Sequence, residues 1–152
     1  MSKLKTGDAA PFFIGVDQYG NSISLDSFKG SKLVLYFYPK DDTPGCTAEA
    51  CDLRDNYQRL LNEGYKVAGV SPDGEKSHQK FADKYHLPFP LLADPDKKII
   101  NAYGVWGPKK FMGRSYDGVL RTTFIISEEG NIQEIISKVD TKEHTRQILG
   151  NS

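Results

Sequence analysis

The two cysteines, Cys46 and Cys51, lie in one short segment and are the residues best suited to chemistry. Five apolar residues precede the segment (33–37), and a helical pattern of apolar residues follows it. Thr43 is a favoured helix N-cap, and Pro44 suits the first helical position because no N–H partner is needed there. Cys46 is therefore predicted in the first helical turn, beside unpaired N–H groups and the positive end of the dipole. Both features favour the thiolate, which is the nucleophilic form of cysteine.

The spacing of the two cysteines restricts how they can react with each other. Five residues of ideal α-helix rise about 7.5 Å and separate the Cα atoms by roughly 8.6 Å. A disulfide requires Cα atoms closer than about 7 Å. Cys46 and Cys51 therefore cannot form a disulfide while the helix is intact. Either both thiols stay reduced, or the first helical turn unwinds.

Each candidate residue also has a purely structural interpretation. A free cysteine is often a small buried hydrophobe, and either thiol fits that description. Arg121 stands at the start of a predicted strand, where an arginine is usually solvated or paired at the surface. The N-cap role is a sufficient reason for Thr43, and Pro39 fits a residue that ends a strand. The spacing leaves these alternatives open.

Several other polar residues are predicted to lie at the surface. The three histidines fall on different predicted helices, without metal-ligand spacing or an evident cysteine partner: His78, His86 and His144. Glu49 fits the outer face of its helix, and the charge runs 41–42 and 109–110 fit solvated positions. Two cysteines without clustered histidines cannot make a closed zinc site, so no metal is predicted.

The apolar pattern predicts alternating strands and helices. An uninterrupted run at 32–38 indicates a strand buried on both faces, and a helix follows at 43–63. The other predicted elements are an arm with a hairpin within 1–30, strands at 66–71, 91–92, 121–127 and 132–139, helices at 75–85, 97–103 and 141–149, and an irregular stretch at 104–118. This order predicts an α/β, thioredoxin-like fold with a central mixed sheet, helices on both faces and an N-terminal hairpin. Active sites in such sheets lie beyond the carboxyl ends of strands, where Cys46 is expected.

Length and composition limit the possible classes of protein. A chain of 152 residues favours one domain, spanning 1–152. The 20 basic and 20 acidic residues balance, so no charge pattern favours nucleic acid or an anionic membrane. No apolar run approaches the ~20 residues that span a bilayer, and the N-terminus lacks the apolar region of a secretory signal. We expect a cytoplasmic protein, although a mature organellar protein would look the same after loss of a transit peptide.

The run from Phe37 to Cys51 resembles the active-site segment of peroxiredoxins. It is most similar to the bacterioferritin comigratory protein group, also called peroxiredoxin Q. The family motif Pro-x-x-x-Thr-x-x-Cys matches Pro39, Thr43 and Cys46. Cys51 matches the resolving cysteine of the atypical two-cysteine members. The similarity extends over nearly the whole chain, and the motif is long and specific.

The resemblance implies a role for each matched residue. Cys46 would attack hydrogen peroxide or an organic hydroperoxide and become a sulfenic acid. Cys51 would resolve it to an intramolecular disulfide. Arg121 matches the family's distant arginine and would hold the thiolate and the peroxide oxygens. The hydroxyl of Thr43 would contact the thiolate or the substrate, and Pro39 would shield the pocket from water.

The resemblance also implies partners and cofactors. A thioredoxin-like dithiol would restore both thiols, and no metal, haem or flavin would take part. Near-neutral charge and the subgroup favour a monomer. The chain departs from the family pattern at Leu120 and Ser127, which bears on packing or substrate preference rather than on the proposed chemistry.

Two other functions share some of these features. A thioredoxin-type disulfide oxidoreductase would have the same fold and a cysteine at a helix start, but such enzymes use Cys-x-x-Cys, and four residues separate the cysteines here. A non-enzymatic redox sensor or stress chaperone would undergo the same oxidation without sustained turnover with a reductant.

Overall fold

The computed structural model describes residues 4–150, which form nine strands and five α-helices. The strands are β1 (Ile14–Val16), β2 (Ser22–Ser24), β3 (Lys32–Phe37), β4 (Tyr65–Ser71), β5 (Leu91–Ala93), β6 (Trp106–Phe111), β7 (Arg114–Val119), β8 (Thr122–Ile126) and β9 (Ile132–Ile136). The α-helices are α1 (Pro44–Asp55), α2 (Tyr57–Asn62), α3 (Glu75–Tyr85), α4 (Lys98–Ala102) and α5 (His144–Leu149), and a 3-10 helix covers Leu25–Phe28.

Seven of the strands form one mixed sheet in the order β2-β1-β5-β4-β3-β8-β9. Strands β3, β4 and β5 are parallel, whereas β8, β9, β1 and β2 pair antiparallel with their neighbours. Because β3 lies between β4 and β8, its side chains are buried on both faces, as its apolar run predicts.

Alternate residues of β3 point into two hydrophobic cores. On one face, Leu33 and Leu35 join a core that includes Phe28 of the 3-10 helix and Ile99 and Ile100 of α4. On the other face, Val34 and Tyr36 join a core built with α1, α2, α3 and α5. The predicted fold is confirmed: a mixed sheet with helices on both faces and an N-terminal hairpin formed by β1 and β2.

The single helix predicted at 43–63 is wrong in one respect, because it is interrupted at Asn56 and continues as α2. The side-chain Nδ2 of Asn56 donates to the carbonyl of Asp52 at 2.8 Å. Asparagine commonly makes such local bonds in competition with helical backbone bonds. The interruption fixes the length of the helix that carries both cysteines.

The stretch at 104–118 is a β-hairpin rather than irregular chain. Strands β6 and β7 pair antiparallel from Trp106 opposite Val119 to Phe111 opposite Arg114. Met112 and Gly113 both have positive φ, 51° and 78°, as a tight two-residue hairpin turn requires. The glycines and the proline within these strands are residue types that are typical of loops. The sequence therefore predicted an irregular stretch instead of a hairpin.

The ends of the last elements also differ from the prediction. Strands β8 and β9 are shorter than predicted, and the final helix begins at His144 after an N-cap at Glu143, not at Thr141. Among residues 4–150, no helix is both long enough and apolar enough to cross a membrane.

Candidate active site

The sheet topology brings Arg121 to Cys46. Strand β3 ends at Phe37, and the chain turns into α1 with Cys46 as its third residue. Strand β8 runs antiparallel to β3 and places Thr122 opposite Phe37, so Arg121 lies just beyond the carboxyl end of β3. Arg121 Nη2 donates a hydrogen bond to Cys46 Sγ at 3.3 Å. Two residues that are 75 positions apart thus meet at the end of the sheet where an active site was expected.

Thr43 holds the N-cap position, but its hydroxyl does not cap the helix as predicted. Its backbone is extended, and its carbonyl accepts the N–H of Thr47 at 2.8 Å. The hydroxyl instead donates to the carbonyl of Lys40 at 2.9 Å. The side chain therefore closes the loop before α1 and leaves the first-turn N–H groups to other partners.

Glu49, one turn after Cys46, is fully buried rather than on the helix surface as predicted. Its Oε1 accepts a hydrogen bond from Arg121 Nη1 at 2.7 Å. The two ends of the guanidinium therefore hold a sulfur and a carboxylate at once, from two separate nitrogens of one rigid plane, an arrangement that the single nitrogen of a lysine lacks. A Cβ atom on Gly45 would come within 3.2 Å of Arg121 Nη2, so the absence of a side chain there leaves room for the guanidinium.

The charges at the site perturb one another. Burial raises the pKa of Glu49 to about 7, although the attraction of Arg121 lowers it. Burial lowers the pKa of Arg121, but Cys46 and Glu49 together raise it by more, so the net shift is upward. Glu49 is thus a carboxyl group that changes its charge near neutral pH, while Arg121 stays a cation.

His144 is also buried, so its predicted surface position is wrong. Its Nε2 lies 2.7 Å from Thr123 Oγ1 and 3.5 Å from Glu49 Oε2. Its Nδ1 lies 2.8 Å from Gln147 Oε1. Burial lowers the pKa of His144, which favours the neutral imidazole. Helix α5 therefore contacts the back of the site through this ring.

A second buried cluster holds the loop that leads to α1. Asp41 accepts hydrogen bonds from Tyr38 at 2.6 Å and Ser77 at 2.7 Å, and His78 Nδ1 lies 2.7 Å from its Oδ2. The backbone N–H of Asp41 donates to Asp73 at 2.7 Å. The predictions that Asp41 is solvated and that His78 lies at the surface are therefore wrong, whereas the prediction for His86 is confirmed.

The remaining charge-run residues differ in their exposure. Asp42 is exposed as predicted, has a positive φ of 60°, and is bonded to Lys84 at 2.8 Å and Tyr85 at 3.0 Å of α3. Lys110 is exposed, but Lys109 is half-buried and donates to the carbonyl of Val119 at 2.9 Å. Together with Asp41, Asp42 ties the loop before Cys46 to α3.

Cys51 lies on the same intact helix as Cys46, half-buried, and both thiols are free. This agrees with the argument that the helix keeps the two sulfurs from bonding. Burial raises the pKa of Cys51, an effect that Arg54 opposes, and so lowers the thiolate fraction of Cys51 in this conformation. Pro39 is half-buried between β3 and the loop.

The structure thus brings Cys46 and Arg121 together and places Cys51 further along the same intact helix. It adds Glu49 and His144, which the sequence analysis assigned to the surface. The spacing of Glu49 was a usable signal, because residues three apart on a helix are neighbours and Cys46 was expected to face the site. No local signal marked His144, because its position depends on how α5 packs.

The chain is similar to known proteins over nearly its whole length. Residues 6–135 match the model of the AhpC/TSA family. Peroxiredoxin Bcp of Escherichia coli is 43% identical over 149 residues, which cover 98% of this chain and 96% of that protein. Peroxiredoxin Bcp of Bacillus subtilis is 42% identical over 146 residues, covering 96% and 93%. One similar solved structure is the bacterioferritin comigratory protein of Xanthomonas campestris, which was studied for its alkyl peroxide reduction activity. It superposes on this chain with a TM-score of 0.85 at 34% sequence identity. The superposition covers 93% of this chain and 95% of that one.

The thioredoxin-like fold, with a cysteine at a helix start facing an arginine, defines a class of thiol-based redox proteins. The chain belongs to the AhpC/TSA family and, within it, to the Bcp and peroxiredoxin Q group. It is a thiol-dependent peroxidase, an oxidoreductase that reduces peroxides.

Proposed function

We propose that Cys46 is the peroxidatic thiol and that Arg121 is its principal catalytic partner. The observation that carries this assignment is the 3.3 Å hydrogen bond from Arg121 Nη2 to a sulfur in the first turn of α1. A guanidinium at this distance favours the thiolate, and the helix start acts in the same direction. Cys46 is 1% exposed, so a peroxide can reach its sulfur only when neighbouring groups move aside.

The peroxidatic step forms one S–O bond and breaks one O–O bond. The Cys46 thiolate attacks the terminal oxygen of HO–OR, giving Cys46–SOH and the leaving group RO⁻, which takes up a proton to leave as ROH. Negative charge spreads from the sulfur to both oxygens in the transition state. Arg121 lies where its N–H donors can stabilise that charge without reorganising, which is the most effective form of electrostatic catalysis.

We propose that Cys51 resolves the sulfenic acid. Its thiol displaces the hydroxyl from Cys46–SOH, so that a disulfide forms and water leaves. Because an intact helix holds the thiols too far apart, the start of α1 must unwind first. Unwinding also exposes Cys51, which removes the burial that raises its pKa and increases its thiolate fraction.

We also propose the substrates, the reductant, the roles of Thr43 and Pro39, and the state in which the chain acts. The substrates are hydrogen peroxide and alkyl hydroperoxides, an inference that the peroxide activity of the X. campestris relative supports. A thioredoxin-like dithiol returns the disulfide to two thiols. Thr43 shapes the loop before α1 and reaches the peroxide only if it releases the carbonyl of Lys40, and Pro39 limits the access of water. The chain acts as a single-domain monomer in the cytoplasm.

Intact mass and free-thiol counting after one equivalent of hydrogen peroxide test the assignments. The wild type should lose two hydrogens and both thiols within seconds. Cys46→Ser should show no rapid change, and Cys51→Ser should gain one oxygen and stop at that stage. Equally fast oxidation of wild type and Cys46→Ser would exclude Cys46 as the peroxidatic residue. Full turnover of Cys51→Ser with thioredoxin would exclude Cys51 as the resolving residue.

A further inference from the structure

A continuous line of ionisable groups runs from Cys46 into the protein interior. Arg121 joins Cys46 Sγ at 3.3 Å to Glu49 Oε1 at 2.7 Å. The second carboxyl oxygen, Glu49 Oε2, faces His144 Nε2 at 3.5 Å. Cys46, Glu49 and His144 are all almost completely buried, so solvent does not screen their charges.

Glu49 Oε2 is an exception among the buried polar atoms of the protein. Within residues 4–150, this oxygen and the hydroxyl of Tyr36 are the two buried side-chain oxygen or nitrogen atoms without a hydrogen-bond partner. A buried carboxylate oxygen without a donor is costly, whereas the same oxygen carrying a proton has no charge to satisfy. The geometry therefore favours a neutral carboxylic acid at Glu49 with its proton on Oε2.

The bonds of His144 show that it does not supply this proton. Gln147 donates from Nε2 to the carbonyl of Lys138, and its Oε1 accepts the N–H of Asp140, so its amide orientation is fixed. The same Oε1 can only accept from His144 Nδ1, which therefore carries the hydrogen of the neutral ring. His144 Nε2 is then the acceptor of the Thr123 hydroxyl at 2.7 Å.

Charges from every packed element bear on Glu49. Arg121 of the β8 end is a fixed cation, and Tyr36 of β3 is a neutral phenol whose pKa is raised by burial and then by the charges of Glu49 and Cys46. Within α1, Cys46 and Asp52 are the neighbouring acidic groups, and His144 of α5 is neutral. With Cys46 as thiolate, Arg121 already faces one anion. The other cation near the sulfur, the half-buried Lys109 of β6, acts on Cys46 and Arg121 rather than on Glu49. A second buried anion at Glu49 would leave an uncompensated charge.

Oxidation of Cys46 changes this balance. The overall reaction is Cys46–S⁻ + HO–OR + H⁺ → Cys46–SOH + HOR, so the thiolate charge disappears and one proton is consumed. Arg121 then has no anion except Glu49, and the repulsion between the thiolate and a Glu49 carboxylate is gone. Both changes favour ionisation of Glu49.

We propose that Glu49 carries a proton while Cys46 is a thiolate and gives up that proton when Cys46 becomes a sulfenic acid. Glu49 acts through Arg121 and is a positioning residue whose ionisation is linked to the peroxidatic step. Its proton matches the one that the leaving oxygen takes up, so the step needs no net proton from solvent. The neutral His144 ring adds no charge beside the acid. The inference rests on the proposed role of Cys46 as the peroxidatic thiol.

Proton uptake measures this linkage directly. The Cys51→Ser protein, which stops at the sulfenic acid, is mixed with one equivalent of hydrogen peroxide in weakly buffered solution at about pH 6, with an indicator dye. We expect no proton uptake per Cys46 oxidised. The same protein with Glu49→Gln, which keeps the hydrogen bond to Arg121, should take up one proton. The control is the Cys51→Ser protein with Asp52→Asn, which changes another acid of α1 and leaves Glu49 in place. It should take up no proton, like the Cys51→Ser protein alone.

Infrared difference spectroscopy gives an independent readout. The stretching band of a protonated carboxyl should be present in the reduced protein, be lost on oxidation, and be missing from Glu49→Gln. Equal proton uptake with and without Glu49, or a carboxyl band that survives oxidation, would overturn the inference. Mass spectrometry of the same samples separates this result from a failure of the proposed function, in which Cys46 gains no oxygen.

Discussion

Glu49→Gln should change how the stability of the protein depends on pH. In the folded protein, burial raises the pKa of Glu49 to about 7 from its ordinary value of 4.5. An acid with a raised folded-state pKa stabilises the fold below its unfolded-state pKa. That contribution is lost as the pH rises through the folded-state value, because between the two values the folded state binds the extra proton. Glutamine has the same shape but no titration, so this component disappears in the variant.

The magnitude follows from the size of the shift. A difference of 7 − 4.5, or 2.5 pKa units, multiplied by about 1.4 kcal/mol per unit, gives at most about 3.5 kcal/mol. Between about pH 4 and pH 8, the wild type should lose this amount relative to Glu49→Gln. For a domain of this size, that corresponds to a relative change in Tm of roughly 7–14 °C.

Urea denaturation of reduced wild type and Glu49→Gln at about six pH values would measure the effect. Asp52→Asn is the matched control, because Asp52 Oδ2 accepts a hydrogen bond from the Thr145 N–H at 2.7 Å on the same helix. The difference in the free energy of unfolding should fall as the pH rises for Glu49 and not for Asp52. Parallel pH curves for wild type and Glu49→Gln would refute a buried, proton-binding Glu49.

Three further substitutions test other contacts. Gly45→Ala would put a Cβ 3.2 Å from Arg121 Nη2. The rate of Cys46 oxidation by peroxide, measured by stopped flow, should fall while the free energy of unfolding stays equal or rises. An unchanged rate would show that the guanidinium moves freely. Arg121→Lys replaces two separate donor nitrogens in one rigid plane by a single nitrogen, so the peroxidatic rate constant should fall by roughly 10²–10³. A loss under about tenfold would argue against the catalytic role of Arg121. His78→Leu leaves Asp41 buried without its ring partner and should cost about 1–3 kcal/mol of unfolding free energy. A loss below about 0.5 kcal/mol would show that this buried contact does not stabilise the fold.

The sequence was sufficient for features that arise from neighbouring residues. The apolar run of β3 and the Thr-Pro start of α1 predicted a cysteine in the first turn of a helix after a buried strand, and the structure has this arrangement. The five-residue spacing predicted two cysteines that stay apart on one helix. These predictions needed only the geometry of strands and helices, which local sequence largely determines.

The predictions of secondary structure failed where glycine, proline or a polar residue is compatible with more than one local conformation. The β6–β7 hairpin contains Gly107, Pro108 and Gly118, which are typical of loops, and only its pairing makes it a hairpin. The break at Asn56 depends on a side-chain bond to a helical carbonyl. In both places the choice between local conformations is set by contacts that the local sequence does not specify.

The burial of charge was decided by tertiary structure alone. Glu49 lies inside the protein because Arg121, 72 residues away and just before β8, compensates it there. His144 is buried because α5 packs against the same place. A single polar residue in a sequence looks like a surface residue, since an unpaired buried charge is prohibitively costly. The sequence by itself therefore determined the position of Cys46 at a helix start beyond a buried strand. The partners that set the charge around this thiol come together only once the sheet has brought distant segments into contact.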